Sequence, residues 1–315
     1  MSSLVEAVDH YLAMRRSLGF RLRHTARELP RFAAFLEQEG AAFITTALAL
    51  RWALEDPDSS SVTRSDRLGM VRRFAAWRSA ADPRTEIPPS ELVVRRYERP
   101  APYIYTDAQV EAIVLCARAL PSPLGIRALT CSTLFGLLAV TGMRIGEAVA
   151  LDRDDVDLRT GVLTIREGKR GKERFVPVHE TSREVLAEYA KKLEALLPSP
   201  RTSAFFVSER GRRMSAWSAG DNFVRVLRTL GLRSSGKGGL RGRGPRLHDL
   251  RHRFAVATLV HWYRTGVNVD REMPKLATFL GHTRVDEVYW YLQAVPELLR
   301  AATERPLLTT MDGEP

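Results

Sequence analysis

Two segments of the chain carry cations and an acid that could act on a phosphate ester. Arg144 follows a glycine in TGMRIGE, with Glu147 three residues later. Lys169 and Lys172 lie in a Gly- and Lys-rich stretch, which therefore holds two of the chain's six lysines. A guanidinium can fork onto two oxygens, whereas a lysine can also give up a proton, which arginine cannot do at its very high pKa.

Two further segments add imidazoles, a second arginine and two phenols. His248 and Arg251 are three positions apart in HDLRH, so a helix places them on one face. His282 follows a helix stop, and Tyr291 lies nine residues beyond it, with Tyr289 two positions earlier. Positions two apart differ by about 200° on a helix, so only one tyrosine can face a given site. These types could supply a base and a nucleophile.

Each segment alone also has a structural interpretation. Arg144 could cap a helix through Glu147, lysines at a hairpin tip often only keep an edge soluble, and a tyrosine among aromatic residues is more often a core residue. Residues 231–237 match most of a phosphate-binding loop. However, Gly238 stands where that loop needs Ser or Thr, and no apolar strand precedes it, so an ATP site is not expected.

The segments around these residues predict a mixed, mainly helical domain. A capping box at 106–109 begins its first helix, and 124–140 is an apolar, buried helix. Strands are expected at 162–165 and 174–178, joined by a turn at 168–172, with a short strand at 204–207. Further helices are expected at 182–197, 215–230, 248–264, 271–280 and 296–303.

The first hundred residues predict a bundle of four short helices. Periodicity places Val5, Val8, Tyr11, Leu12 and Leu18 on one helix face, and Leu29, Phe32, Phe35 and Leu36 on another. Thr45 or Thr46 can cap a third helix through Leu54, and 61–80 forms a fourth. Prolines then end helical structure. We therefore expect a helical domain at 1–94, a linker at 95–104 and a second domain at 105–315.

The charge predicts a polyanionic partner, most simply nucleic acid. The 315 residues carry a formal net charge of +11, and 42 of the 48 basic residues are arginine. GC-rich coding explains the preference for arginine equally well, but not the net charge. Residues 225–253 hold nine cations and one acid, Asp249, which favours phosphate binding by this segment.

Several classes are excluded by composition. No apolar run approaches the ~18 residues of a membrane span, and the first twenty residues do not form a signal peptide. Cys116 and Cys131 lie in apolar surroundings, which predicts reduced thiols of a cytosolic protein. No Cys/His spacing indicates a metal.

The residues singled out above follow each other along the chain in the order Arg…Lys…His-x-x-Arg…His…Tyr. In this order the chain resembles the tyrosine recombinases, also called the phage integrase family. The matching strings are TGMRIGEAVAL at 141–151, GKRGKERFVPV at 168–178, HDLRHRFA at 248–255, LGH at 280–282 and YLQAVPELL at 291–299. The resemblance covers essentially the whole chain. It implies a mainly α fold with a small β-sheet: a helical core-binding domain followed by a mixed α+β catalytic domain.

The resemblance also implies roles. The catalytic set would be Arg144, Lys169, His248, Arg251, His282 and Tyr291, with Glu147 orienting Arg144. Lys172 remains an alternative to Lys169, and Tyr289 an alternative to Tyr291. Candidate DNA contacts are Arg15, Arg16, Arg21, Arg23, Arg64, Arg67, Arg72, Arg73, Lys172, Arg241, Arg243 and Arg246. A solvated helix face explains any one of the amino-terminal arginines almost as well.

The expected activity is site-specific recombination of double-stranded DNA through a covalent 3′-phosphotyrosine, without metal or other cofactor. Integration, excision, transposition and resolution all remain open, and the segment around Tyr291 resembles transposon- or plasmid-borne enzymes. Four protomers would act on two DNA sites, and this expectation is compatible with a monomer in free solution. The expected location is the cytoplasm of a prokaryote, at the nucleoid. Two alternatives are relaxation like that of type IB topoisomerases and a catalytically silent DNA-binding regulator.

Overall fold

The computed structural model describes residues 3–22, 24–94, 101–166, 173–198, 202–234, 244–281 and 288. The chain divides into two compact units, Met1–Pro100 and Ala101–Pro315, each with its own hydrophobic core. In these described stretches no helix is long and apolar enough to cross a membrane.

The first unit contains the four predicted helices. They are α1 (Leu4–Ser17), α2 (Thr25–Gln38), α3 (Thr46–Leu54) and α4 (Ser61–Arg78). Side-chain caps begin three of them: Ser3 in a capping box with Glu6, Thr45 rather than Thr46, and Ser60. Each cap oxygen satisfies a backbone N–H that would otherwise lack a partner at the helix start.

One expectation about the buried face of α1 is wrong. Val5 is 38% exposed and Leu18 is 64% exposed, although Val8, Tyr11 and Leu12 are buried as expected. The buried face begins at Leu4, so Val5 is turned about 100° away from it. Leu18 lies beyond the last helical residue. The helix therefore packs along the predicted stripe at Val8, Tyr11 and Leu12, but this stripe begins at Leu4 and not at Val5.

In its described residues the second unit is mainly helical with one small sheet, as expected. Its helices are α5 (Asp107–Arg118), α6 (Ile126–Thr141), α7 (Ile145–Ala150), α8 (Glu180–Leu196), α9 (Ala216–Thr229), α10 (Asp249–Arg264) and α11 (Val269–Leu280). The antiparallel sheet has the order β1 (Val156–Asp157), β2 (Val162–Ile165) and β3 (Arg174–Pro177). The register pairs Ile165 with Arg174, so the predicted hairpin is present up to the mouth of its turn.

The strand expected at 204–207 is not formed. Its ends make only isolated bridges, Asp152 with Ala204 and Val207 with Arg213. The four residues are buried in the core, so their apolar run reflects burial and not strand pairing. Strand β1 was not predicted, because two residues are too few for a visible alternation. The helix expected at 296–303 lies outside the described residues.

Helix α6 is the centre of the second unit and positions the turn that carries Arg144. It packs against α5, α8, α9 and α10, and it is apolar on nearly all sides, as a buried helix must be. It ends at Gly142, whose φ of 60° is left-handed. A Cβ at Gly142 would lie 2.6 Å from Cδ1 of Phe254, so glycine lets α10 approach the turn closely.

Candidate active site

Arg144 lies at the amino end of the short helix α7, directly after the α6 turn. Its backbone N–H donates to Oε2 of Glu147 at 2.8 Å, and its Nη1 donates to Oε1 at 2.9 Å. The capping arrangement considered from the sequence is therefore present. Nη2 of the same guanidinium donates to the carbonyl of Gly281 at 3.0 Å, and 27% of the side chain remains exposed. Arg144 is thus both a structural residue of α7 and a cation at the surface of a site.

Glu147 is shared with a second arginine that the sequence analysis did not select. Arg174, the first residue of β3, donates from Nη1 to Oε1 at 3.0 Å and from Nη2 to Oε2 at 2.8 Å. Burial works to raise the pKa of Glu147, but the hydrogen bonds and charges of Arg174 and Arg144 outweigh it and hold the pKa below its usual range. The carboxylate is therefore ionised at neutral pH.

The two arginines also hold the carboxyl end of α11. Arg174 Nε donates to the carbonyl of Phe279 at 3.1 Å, next to the contact of Arg144 with Gly281. Carbonyls in the last turn of a helix lack intrahelical partners, so they are available to such donors. Gly281 ends the helix with a left-handed φ of 67°, and a Cβ there would lie 2.7 Å from Arg174 Nη1. The next residue in the chain is His282.

Arg251 approaches the same turn from α10. Its Nη1 donates to the carbonyl of Gly142 at 2.9 Å, and the residue is 3% exposed. His248 is the amino-terminal cap residue of α10 and is exposed. Its ring lies 4.7 Å from the ring of buried His252, edge to face. The first turn of α10 therefore brings Arg251 to the α6 turn that leads to Arg144, and His248 lies three positions earlier at the start of the same helix.

A buried polar cluster fixes the start of α10. Asp249 Oδ2 accepts from the backbone N–H of Arg246 at 2.7 Å, and Tyr105 donates to the carbonyl of Arg246 at 3.2 Å. Burial raises the pKa of Asp249 above its usual range. Arg233, also buried, donates to the carbonyl of Pro245 at 2.8 Å. Three hydrogen bonds thus fix the backbone of the residues just before α10.

This geometry revises the interpretation of the basic segment 225–253. Arg233 and Arg251 are buried and bind backbone carbonyls. Arg225 pairs with Asp221 at 3.0 Å, and Arg253 pairs with Asp107. Both acids lie outside the segment, which is why a charge count within it missed them. Part of the local charge therefore stabilises the fold, and Arg246 keeps a half-exposed side chain.

The arginines of the first unit that were predicted to contact DNA differ in their side-chain contacts. Arg64 donates to Ser59 Oγ at 3.1 Å and to the carbonyl of Pro57 at 2.6 Å, while Arg67 lies 3.8 Å from buried Glu28 and over the ring of Trp52. Those two side chains are used within their own unit. Arg15 lies over the ring of Phe20, and Arg72 is half-buried. The exposed members are Arg16, Arg21 and Arg73.

Several predicted residues lie outside the described part of the chain. They are Arg23, Lys169, Lys172, Arg241, Arg243, His282, Tyr289 and Tyr291. Among the residues that are described, no group of three or more His, Cys, Asp or Glu could hold a metal ion. Two guanidinium groups, those of Arg144 and Arg174, share the single carboxylate of Glu147, which leaves an excess of positive charge suited to an anionic oxygen.

Comparison with known proteins identifies the class. The sequence model of the phage integrase family matches residues 104–297. The chain belongs to this family, the tyrosine recombinases, and is an enzyme of site-specific DNA recombination. It is 42% identical over 97% of both chains to y4rB of Sinorhizobium fredii, whose assigned name is integrase/recombinase. It is 30% identical to the tyrosine recombinase XerD of Bradyrhizobium diazoefficiens, over 87% of this chain and 86% of that one.

Solved structures share the fold at low sequence identity. The Tn1549 transposon integrase, in complex with transposon right end DNA, is 17% identical with a TM-score of 0.65, over 97% of this chain and 99% of that one. Lambda integrase, as a dimer bound to a COC′ core site, is 16% identical with a TM-score of 0.64, over 91% and 97%. The mainly helical fold with its small sheet is therefore that of the integrases.

Proposed function

We propose that the chain cleaves and rejoins double-stranded DNA through a covalent 3′-phosphotyrosine formed by Tyr291. The observation that carries this proposal is the hydrogen-bonded set at the end of α11. There Arg144 and Arg174 share Glu147 and bind the carbonyls of Phe279 and Gly281. Arg251 binds the turn that leads to Arg144. A cationic site is thereby built one residue before His282.

The arginines serve the charge of the reacting phosphate. Arg144 and Arg251 bind its two non-bridging oxygens, and His282 adds a third donor. These donors stabilise the extra negative charge of the pentacoordinate transition state. Because Glu147 neutralises only one guanidinium of the set, net positive charge remains for the phosphate. The arginines thus do the electrostatic work that a divalent cation performs in other nucleases.

Two further groups move protons. A phenol with a pKa near ~10 is mostly protonated at neutral pH and is a poor nucleophile, so His248 accepts the proton of Tyr291 as the P–O bond forms. Lys169 donates a proton to the departing 5′ oxygen, with Lys172 as the alternative donor. The products are a 3′-phosphotyrosine and a free 5′-hydroxyl. One phosphoester bond, to Tyr291, replaces the one broken at the 5′ oxygen, so the reverse attack by the 5′-hydroxyl rejoins the strand without ATP.

The partner is double-stranded DNA, and the chain acts as an assembly. Solved relatives include a lambda integrase dimer on a core site and a tetramer on a Holliday junction. We infer four protomers on two DNA sites for this chain. The likeness to the Tn1549 transposon integrase favours integration, excision or transposition of a mobile element. The first unit serves as the core-binding domain, with the exposed arginines Arg16, Arg21 and Arg73 as phosphate contacts.

Trapping covalent protein–DNA adducts tests which tyrosine is the nucleophile, and the same experiment identifies the DNA site. The full chain is incubated with a library of nicked duplexes of random sequence, and the mixture is then denatured. The DNA that remains attached to the protein is sequenced. Tyr291→Phe is expected to bind DNA but to trap no adduct, because the attacking oxygen is gone, while Tyr289→Phe still traps adducts. If Tyr289→Phe abolishes adducts and Tyr291→Phe does not, the nucleophile is Tyr289.

Two other activities give different outcomes in the same system. A type IB topoisomerase-like enzyme would relax supercoiled plasmid without exchanging strands between two sites. A silent DNA-binding regulator would form no adduct with any duplex. The known proteins matched are recombinases and integrases, which favours strand exchange. We therefore expect recombination between two recovered sites.

A further inference from the structure

We propose that Arg174 is a positioning residue for DNA cleavage, acting through Glu147 on Arg144. The inference rests on the proposed function, because it deepens the account of the same site. Arg174 was not among the residues that the sequence order selected. It lies on β3, whereas Arg144 and Glu147 lie on α7 and the bound carbonyl of Phe279 lies on α11. Its side chain therefore joins three elements.

The side chain of Arg174 is directed inward by the strand. Residues two apart on a strand share a face, and Val176 is buried while Phe175 between them is 66% exposed. Arg174 shares the inner face with Val176, and its side chain is 11% exposed. A largely buried guanidinium is costly unless its donors are satisfied. All three of its nitrogens donate here, two to Glu147 and one to Phe279.

This arrangement sets how strongly Glu147 holds Arg144. The carboxylate accepts four hydrogen bonds, two from Arg144 and two from Arg174. Without Arg174, the full negative charge of Glu147 would act on Arg144 alone. Arg144 would be drawn towards that ion pair and away from an incoming phosphate oxygen. Removing Arg174 therefore lowers the effective positive charge that Arg144 offers, although Arg144 itself is unchanged.

The same contacts set the place of the α11 end. Arg174 holds Phe279 and Arg144 holds Gly281, so both arginines fix the turn that precedes His282. Arg174 also pairs through the backbone with Ile165 at the mouth of the β2–β3 turn. The strand leaving the lysine-bearing turn is thereby tied to the turn leading into His282. A lysine at 174 could bind one of these partners but not both, because it lacks the planar fork.

The test compares Arg174→Ala and Arg174→Lys with the unaltered full chain. The substrate is a nicked duplex recovered by adduct trapping, and the measurement is the single-turnover cleavage rate at saturating DNA. Outer-shell partners that orient metal ligands typically contribute about 10- to 100-fold, and by analogy Arg174→Ala is expected to slow cleavage by a factor in that range. Arg174→Lys should recover part of the rate. DNA affinity should stay within about twofold for both, since Arg174 does not contact DNA in this mechanism.

A matched control separates positioning from general stability. Arg183 likewise pairs with a carboxylate, Glu180, and donates to a backbone carbonyl, that of Arg159, but it contacts none of the proposed catalytic residues that the structure describes. Arg183→Ala is expected to cleave at the normal rate and to lower the melting temperature less than Arg174→Ala, because the Arg183–Glu180 pair is more exposed. If Arg174→Ala fails to fold, the cleavage rate of Arg174→Lys is compared with that of the unaltered chain instead.

A modified substrate gives a readout that a merely structural role would not move. When a methyl group replaces one non-bridging oxygen of the scissile phosphate, the reacting group loses one negative charge and needs less cationic stabilisation. On this substrate the cleavage rate of Arg174→Ala should approach the rate of the unaltered chain. The rate of Arg144→Ala should do the same. An equal defect on both substrates, or cleavage by both Arg174 variants within twofold of normal, would overturn the inference. An unaltered chain that forms no adduct would instead overturn the proposed function.

Discussion

Glu147 shows how a single residue can serve the fold and also hold an arginine proposed to act in the chemistry. Its carboxylate is buried, which is unfavourable for a charge, yet four hydrogen bonds from two arginines keep its pKa low. Breaking such a pair is costly because it leaves uncompensated buried charge. The residue therefore stabilises α7 and limits how far Arg144 can move.

Replacing this carboxylate should change the pH dependence of stability in a defined direction. A pKa lowered in the folded protein adds stability above the unfolded value of 4.5, and that stability is lost as the pH falls through the folded pKa. Glu147→Gln removes this contribution and should lower the free energy of unfolding at pH 7 by about 1.5–3 kcal/mol, the range for hydrogen bonds to charged groups. Urea unfolding should show the two proteins converging below about pH 4.5. A difference that stays constant down to pH 3 would contradict this origin.

At the scale of residues, sequence order was informative about some positions and not others. Arg144, Glu147, His248 and Arg251 were selected because each lies in a local motif at helical spacing. Arg174 was missed because its partners, Glu147 and Phe279, are 27 and 105 positions away. One signal was available: in RFVP the alternation puts a cation on the buried face of a strand. The use of Gly142 as the acceptor for Arg251 is a backbone contact across 109 positions, which no side-chain pattern reports.

At the scale of elements, helix ends build this site more than helix interiors do. Arg144 begins α7, His248 begins α10, and Gly281 ends α11. The sequence predicted α10 and α11 within a few residues because their apolar periodicity and caps are local, whereas α7 was expected only as a short helix that Arg144 could cap. It did not predict how the three ends meet. That depends on left-handed glycines, whose close neighbours come from distant parts of the chain.

Gly281 offers a test in which backbone strain and steric contact can be separated. Gly281→Ala places a Cβ 2.7 Å from Arg174 Nη1, which is anchored on Glu147, so the guanidinium must move. Gly266 has a similar φ of 71°, and a Cβ there meets nothing within 4 Å. Both variants should lose about 1–2 kcal/mol of unfolding free energy, the cost of a left-handed non-glycine residue. Only Gly281→Ala should also slow cleavage at saturating DNA, by about tenfold or more. Equal cleavage rates for the two variants would show that the contact with Arg174 is not needed.

At the scale of the whole molecule, net charge and usable charge differ. The chain carries +11, yet a buried contact and ion pairs occupy Arg233 and Arg253 in the second unit and Arg67 in the first. The composition predicted a nucleic-acid partner correctly in kind, because a basic excess attracts a polyanion. It could not identify which arginines face the DNA, because that depends on acids and carbonyls that folding brings near.

This difference leads to a prediction about salt. DNA binding that uses about six phosphate contacts loses about a thousandfold in affinity between 50 and 200 mM salt, and each contact adds about −0.9 to the slope of log K against log salt. Arg73 is exposed on α4, whereas Arg84 is held by both oxygens of Asp82, at 2.9 and 3.0 Å. Arg73→Gln should therefore make the slope shallower by about one. Arg84→Gln should leave the slope unchanged, although it removes the same formal charge. Fluorescence anisotropy with a labelled duplex at a series of salt concentrations measures both slopes. Equal slopes for the two variants would mean that net charge alone governs binding, and that the side-chain environments in the first unit do not select its DNA contacts.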